Sequence, residues 1–440
     1  MSYTEKQLKE ATQIAYLSFL EKAQDNLIAD GKKEPFSIEE LIFSYLNISN
    51  SKELLREKTM QEIVKESDMS DFDKSIIEEF SGEMFSWKII DIHDTQDDNG
   101  FYGCVIETSN KEAIVAFRGS ENMKKYTNLR NDWIRADFGL LNSKCTNQQK
   151  EVEIYADELI ENKVLDKYDA LSVTGHSLGG NLASHFTVAS ADEKRKNIYE
   201  KIERTINFDG PGVSKEYLEN YDEQVKKAGG KIDHYKWSAV GSLLNEIPGS
   251  NNEFIGIDEK QHNGNLIDRI KYKIITRHST KSLVFDKNGN AFRGHQDLVA
   301  KSMSVISKAA DEILPETLTG ELYAISEWVF DNVLYEKEDG SIGFKNPILD
   351  VATGATNAIV STAKKFIGNM IGTFKETALS IDSAIVNGIE KLDIPKDGYN
   401  DVLIAAEMNQ GLNWDTLENA TNIFKDGRNE YNLDELNFSY

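Results

Sequence analysis

A chain of 440 residues has room for more than one core, since domains usually run to about 100–200 residues. Hydrophobic and aromatic fractions of 40% and 10% exclude a disordered chain, and a formal net charge of −24 leaves no excess of Lys and Arg to meet nucleic-acid phosphates. The two cysteines, Cys104 and Cys145, cannot build a disulfide framework and lack metal-ligand spacing; both are expected as buried or incidental thiols. The N-terminus MSYTEKQLKE has no apolar h-region, and no run approaches the roughly 20 apolar residues of a membrane span. A soluble chain without a conventional signal peptide is expected.

Residues 1–85 are charged, with spaced apolar positions and almost no Gly or Pro, which predicts a helical N-terminal segment. Ser37 and Glu40 are placed to form a capping box at one helix start. After Ser86 the texture turns β-rich: GFYGCVIET (100–108) and EAIVAFRG (112–119) read as strands joined by a turn. A helix at 147–163, a strand at 170–174, a helix from 178 to about 193 and a strand at 204–208 follow, and 231–240 and 270–278 read as further strands. This alternation predicts a largely parallel sheet with helical cover over 86–310. From 311 to 440 the chain reads as a helical C-terminal region, broken by a hairpin turn at Glu338-Asp339-Gly340. Within it, Val351–Lys375 has no Asp or Glu and carries an apolar stripe (Ile359, Ala363, Phe366, Ile367, Met370, Phe374). A helix packed in its own domain is the plainer account of that stripe, and a membrane-surface or partner-binding helix is the functional one.

The informative segment is LSVTGHSLGGNLASHF (171–186), in which Gly175-His176-Ser177-Leu178-Gly179 stands between a β-branched run and an amphipathic helix. A serine on a sharp strand-to-helix turn has a strained backbone, and glycines two residues to either side remove Cβ atoms that would clash. The turn lifts the Ser177 hydroxyl above the sheet and aims the helix N-terminus at developing negative charge.

GHSLGGNLA resembles the nucleophile motif of class 3 lipases, an α/β-hydrolase family. IVAFRGS (114–120) is similar to the family's strand end that supplies one oxyanion donor, and NDWIRADFG (131–139) resembles the segment that follows it. The resemblance covers roughly residues 86–300. It implies an α/β-hydrolase sheet, Ser177 as nucleophile, and oxyanion donors at the amides of Ser120 and Leu178. His176 lies inside the elbow, His185 sits too far along the helix that follows, and His93 comes before the sheet core, which leaves His234, His262, His278 and His295 as the base. Chain order in this fold, with the acid before the base, favours the late ones. RHSTKSLVF (277–285) looks like the base-bearing segment of bacterial relatives, which points to His278, with His295 second. The acid departs from the fungal pattern, since Ser238 of WSAVGSLLNEIPG (237–249) stands where that pattern has Asp. An acid at the preceding strand end, as in pancreatic-type lipases, gives Asp209, with Asp233 and Glu246 behind it.

The resemblance implies hydrolysis of lipid or other carboxylic esters, and bacterial relatives with extra helices suggest phospholipids met by transient membrane-surface contact. No cofactor or metal is required: Asp258 and His262 have no third ligand in view, and Asp286-Lys-Asn288-Gly289 reads as a turn. The layout is similar to lipase toxins of type VII secretion, which implies export without a cleaved signal, a small helical export partner and an immunity protein. A cytoplasmic esterase and an inactive hydrolase-like binding module, kept in play by Ser238, are the rival readings.

Overall fold

The computed structural model describes residues 3–49, 51–95, 100–108, 111–119, 145–238, 240–257 and 277–296, residues 300, 304, 307 and 308, and the short runs 334–336 and 342–344. The chain divides into two compact units, Met1–Glu327 with Glu336–Ile342, and Trp328–Tyr335 with Gly343–Tyr440. The stripe at Val351–Lys375 lies outside the described residues. Strands Leu334–Glu336 and Ile342–Phe344 pair as a two-stranded sheet on either side of the turn expected at 338–340.

The first unit is built on one eight-stranded sheet: β1 (Phe36–Ser37), β2 (Lys88–Thr95), β3 (Phe101–Glu107), β4 (Glu112–Phe117), β5 (Ala170–His176), β6 (Ile202–Phe208), β7 (Ile232–Lys236) and β8 (Asn251–Phe254). Strand order in space equals strand order in sequence. β1 to β4 run antiparallel to their neighbours, and β4 to β8 run parallel. Parallel crossovers are right-handed, so crossovers that all step the same way across the sheet deposit their helices on one face. That face holds Asn147–Glu161 and Leu178–Ser190, whose Val152, Tyr155, Leu159, Leu182 and Phe186 share a core with Val105, Val115, Phe117 and Val173.

The opposite face cannot be covered by the same crossovers, and the N-terminal segment covers it. Helix α1 (Glu5–Ile14) begins at a capping box between Thr4 and Gln7 and lies against β4 and β5. Leu8, Ala11 and Ile14 share one core with Cys104, Ile106, Ile114, Ala116, Ile206 and Phe208, the residues alternate to those facing the crossover helices. Where α1 crosses β5, the Thr12 and Thr174 hydroxyls meet at 2.9 Å. The five further helices of the segment, Leu20–Ala29, Ile38–Tyr45, Ser51–Glu57, Met60–Glu66 and Asp71–Ile77, contribute side chains to or pack against the same core. Both reciprocal bonds of the Ser37–Glu40 capping box are present. The boundary drawn at 85/86 from texture therefore falls inside one core.

Four further details depart from the sequence reading. β2 was not expected, and it places His93 inside the sheet rather than before it, between Glu151 (3.0 Å) and Glu158 (2.8 Å). β7 stops at Lys236, not at Val240, because the next two amides turn away to bind a side chain described below. β8, with the sequence NNEF, has too little apolar alternation to announce itself. Of the strand expected at 270–278, residues 270–276 lie outside the described residues, and Arg277 and His278 form a turn.

Glu5 ties α1 to the last described loop of the unit. It is 4% exposed; its Oε1 accepts from Tyr235 (2.5 Å) and Arg293 (3.0 Å), and its Oε2 accepts from the Ala291 amide (2.7 Å). Burial alone would raise its pKa, but bonds from Arg293, Tyr235 and Ala291 hold it at about 2. A carboxylate depressed on folding stabilises the fold above its ordinary value of 4.5, and that contribution is lost as pH falls toward 2. Glu5→Gln is expected to cost roughly 2–4 kcal/mol at pH 7, and the gap in melting temperature from wild type should narrow between pH 5 and pH 3. A gap independent of pH, followed by circular dichroism, would show that the carboxylate charge contributes nothing.

Candidate active site

At the C-terminal end of β5 the chain turns sharply into a helix. Ser177 has φ 58° and ψ −136°, and the helix Leu178–Ser190 starts at the next residue. A Cβ on Gly175 would lie 2.0 Å from the Gly179 carbonyl oxygen, and one on Gly179 would lie 2.4 Å from that of Phe117. Both clashes are with backbone, so the two glycines are what allow the elbow to close against β4. The turn is pinned by the Ser177 amide donating to the Phe208 carbonyl (3.0 Å) and the Gly180 amide donating to the Ser177 carbonyl (2.8 Å). Leu178 opens the helix, so its amide has no intrahelical acceptor. A central serine elbow in a sheet whose parallel strands carry helical crossovers is the layout of an α/β-hydrolase.

Asp209 caps the end of β6, also with a left-handed backbone (φ 53°), and is fully buried. Its Oδ1 accepts from the amides of Trp237 (2.8 Å) and Ser238 (3.0 Å), the pair that leaves β7. Its Oδ2 lies 2.6 Å from His278 Nδ1. Burial would push this carboxyl up, but the bonds from His278, Ser238 and Trp237 outweigh it and hold the pKa below its ordinary value. Oδ2 therefore accepts from a protonated Nδ1, which leaves Nε2 of a neutral His278 with its lone pair. Nε2 is buried and has no hydrogen-bond partner among the described residues.

The His278 backbone is gripped from the elbow side. His176 Nε2 donates to the His278 carbonyl (2.8 Å), and the Trp237 indole donates to the Arg277 carbonyl (2.9 Å). The His176 ring stacks on Trp237 at 5.9 Å and lies 4.6 Å from the His278 ring. Burial, and then the neighbouring His278, push His176 down to about 3, so it holds its position as a neutral donor. Ser238 Oγ lies 3.2 Å from His278 Nδ1, beside the carboxylate.

The competing candidates are engaged elsewhere. Asp233 bonds Arg204 (2.5 Å), and Glu246 bonds Lys236 (2.8 Å) and Lys308 (3.1 Å). His234 is buried on the Gly210 carbonyl (2.7 Å) and pushed down to about 4 by burial; His185 is buried on Tyr217. His295 is exposed. Ser120, Asp258, His262 and the NDWIRADFG segment lie outside the described residues. Gly119 fits against the elbow so closely that a Cβ there would lie 2.9 Å from Ser177 Cβ.

Tyr16, which gave no sequence signal, belongs to this site. Its hydroxyl accepts from the Gly119 amide (3.0 Å) and lies 3.4 Å from both the carbonyl and Nδ1 of His176. It thus bridges the end of β4 and the elbow from the N-terminal segment. Cys104 is fully buried, and burial pushes its thiol up to about 12, as befits an inert core residue. Asp286 closes its own turn with the amides of Asn288 and Asn290, as the sequence predicts.

A family model described as Mbeg1-like matches residues 87–294, the span from β2 to the loop beyond His278. No curated protein sequence matches the chain. Among solved structures, M37 lipase is 14% identical, with 70% of this chain and 81% of that chain covered and a TM-score of 0.32. The lipase of Rhizopus microsporus var. chinensis is 11% identical over 66% of this chain and 90% of its own, with a TM-score of 0.31. Lipase II from Rhizopus niveus is 11% identical over 63% and 94%, with a TM-score of 0.30.

On a p-nitrophenyl ester, His278→Ala is expected to abolish turnover while His295→Ala keeps most of it. Asp209→Asn should keep a folded protein yet cut turnover roughly 10²–10⁴-fold, because an amide neither fixes the imidazole tautomer nor stabilises the imidazolium. Rates read beside thermal melts check this; a fully active Asp209→Asn protein would contradict the arrangement.

Proposed function

We propose that this chain is a serine hydrolase of carboxylic esters, acting on lipid esters in the manner of a lipase or phospholipase A. The observation that carries the reading is the buried Asp209–His278 pair beside the elbow of Ser177, with its imidazole Nε2 left without a partner among the described residues. The sequence resemblance supplies the lipid substrate class.

In the proposed reaction His278 Nε2 takes the Ser177 hydroxyl proton as Oγ attacks the ester carbonyl. The Leu178 amide, at a helix N-terminus, and the Ser120 amide receive the oxyanion; such donors contribute about 2.7–4 kcal/mol each. The tetrahedral intermediate collapses as the imidazolium gives its proton to the leaving alkoxide, which leaves an acyl group on Ser177. Water, deprotonated by the same nitrogen, attacks the acyl carbon, and the second collapse releases the acid and restores the serine. Asp209 stays ionised throughout and stabilises the imidazolium formed in each half. Ser238 holds the Asp209 side chain through its amide and needs no charge of its own, so its presence at the position expected for an acid does not disable the site.

The test is hydrolysis of short-chain p-nitrophenyl esters and of a phospholipid and glyceride panel with product identification. Wild type is expected to release fatty acid, and Ser177→Ala to keep under about one thousandth of the rate. A Ser177→Ala protein within tenfold of wild type would remove Ser177 from the chemistry.

A further inference from the structure

We propose that Cys145, Glu153 and His185 form a binding site for a divalent cation of the zinc class, apart from the Ser177 site. Cys145 stands just before the helix Asn147–Glu161, Glu153 lies on that helix, and His185 lies on the helix that follows the elbow. A ligand atom from each lies within 4.8 Å of the others. The side chains come from three places in the sequence, so no Cys-x-x-Cys or His-x-x-x-His spacing betrays them.

Their orientation separates a ligand set from a catalytic relay. In a relay the acid and the nucleophile use opposite nitrogens of the imidazole. Here His185 Nδ1 is engaged by the Tyr217 hydroxyl (2.7 Å), and Nε2 faces the carboxylate, 3.5 Å from Glu153 Oε1. The Cys145 sulfur lies within 4.8 Å of a His185 ring nitrogen and of a Glu153 carboxylate oxygen. Ligands about 2.0–2.3 Å from a tetrahedral ion stand roughly 3.4 Å apart, so the observed nitrogen–oxygen separation fits such an edge. His185 is fully buried, and its Nε2 meets Glu153 as an ion pair at 3.5 Å without an ordinary hydrogen bond. Nδ1 bonded to Tyr217 is the outer contact that orients a metal-binding imidazole.

The remaining neighbours suit a cation. Tyr221 donates to Glu153 Oε1 at 2.6 Å and borders the site, while Arg195 reaches only the other carboxylate oxygen, at 3.5 Å. A thiol, an imidazole and a carboxylate match the borderline-soft preference of zinc and leave a fourth position for Tyr221 or water. The ion would tie the connection between β4 and β5 to the helices Asn147–Glu161 and Leu178–Ser190. A proton on His185 is the competing occupant.

Cobalt is the spectroscopic probe, added to the full-length chain after chelator treatment. One equivalent at neutral pH is expected to give a thiolate-to-cobalt absorption band, which zinc displaces. Zinc should also raise the melting temperature of the chelator-treated protein. Cys145→Ser, at a half-buried position that preserves packing, should lose the band, while ester hydrolysis is unchanged because none of the three residues belongs to the Ser177 site. No band in wild type, or a band that survives Cys145→Ser, would overturn the proposal and leave the proton as the occupant.

Discussion

The 2.6 Å bond from His278 Nδ1 to Asp209 Oδ2 joins segments 69 residues apart, and much of the surrounding structure serves to hold its two ends. A fully buried carboxylate is costly unless its oxygens are satisfied. Oδ1 receives two backbone amides, and those amides are available because β7 ends where it does. The cost extends to the backbone, since Asp209 and Ser177 are both among the few non-glycine residues held at positive φ. Strain of about 1–3 kcal/mol at such a residue persists only where the surroundings over-determine it. At Ser177 those surroundings are two glycines packed on carbonyl oxygens, and at Asp209 they are three hydrogen bonds to one side chain.

The second constraint is topological. A sheet whose parallel crossovers all step in one direction has helices on one face and needs cover on the other. The first 85 residues provide it, and they reach the site in doing so. Tyr16 touches both the end of β4 and His176, while Glu5 anchors the loop at 291–293 that follows the His278 segment. The N-terminal helices are therefore part of the scaffold that positions the chemistry, and changes there are expected to act on stability and geometry together.

The parts of this arrangement that are local were legible in the sequence. The elbow shows because glycine–serine–glycine spacing is a direct consequence of backbone sterics, and the capping box shows because its two partners are three residues apart. The role of 1–85 was not legible. Its apolar periodicity announces helices but says nothing of which face they cover, and the missing sheet cover follows only from strand order. Tyr16 is one tyrosine in a helix-rich segment and carries no pattern. Asp209 was readable as a candidate acid at a strand end only by weighing it against Asp233 and Glu246, whose ion pairs depend on residues distant in sequence. His93 was misplaced because β2, KIIDIHDT, alternates too weakly to read as a strand. The Cys145–Glu153–His185 group was hidden for the same reason as Tyr16: its geometry is tertiary.

The central claim is that the elbow serine is an activated nucleophile. Covalent labelling with a fluorophosphonate, followed by peptide mapping in the mass spectrometer, tests it most directly, because it needs no knowledge of the natural ester. The account predicts one label per chain, on the peptide that contains Ser177, at a rate that falls sharply in Asp209→Asn. A folded wild-type protein that takes no label, or takes it on another residue, would contradict it.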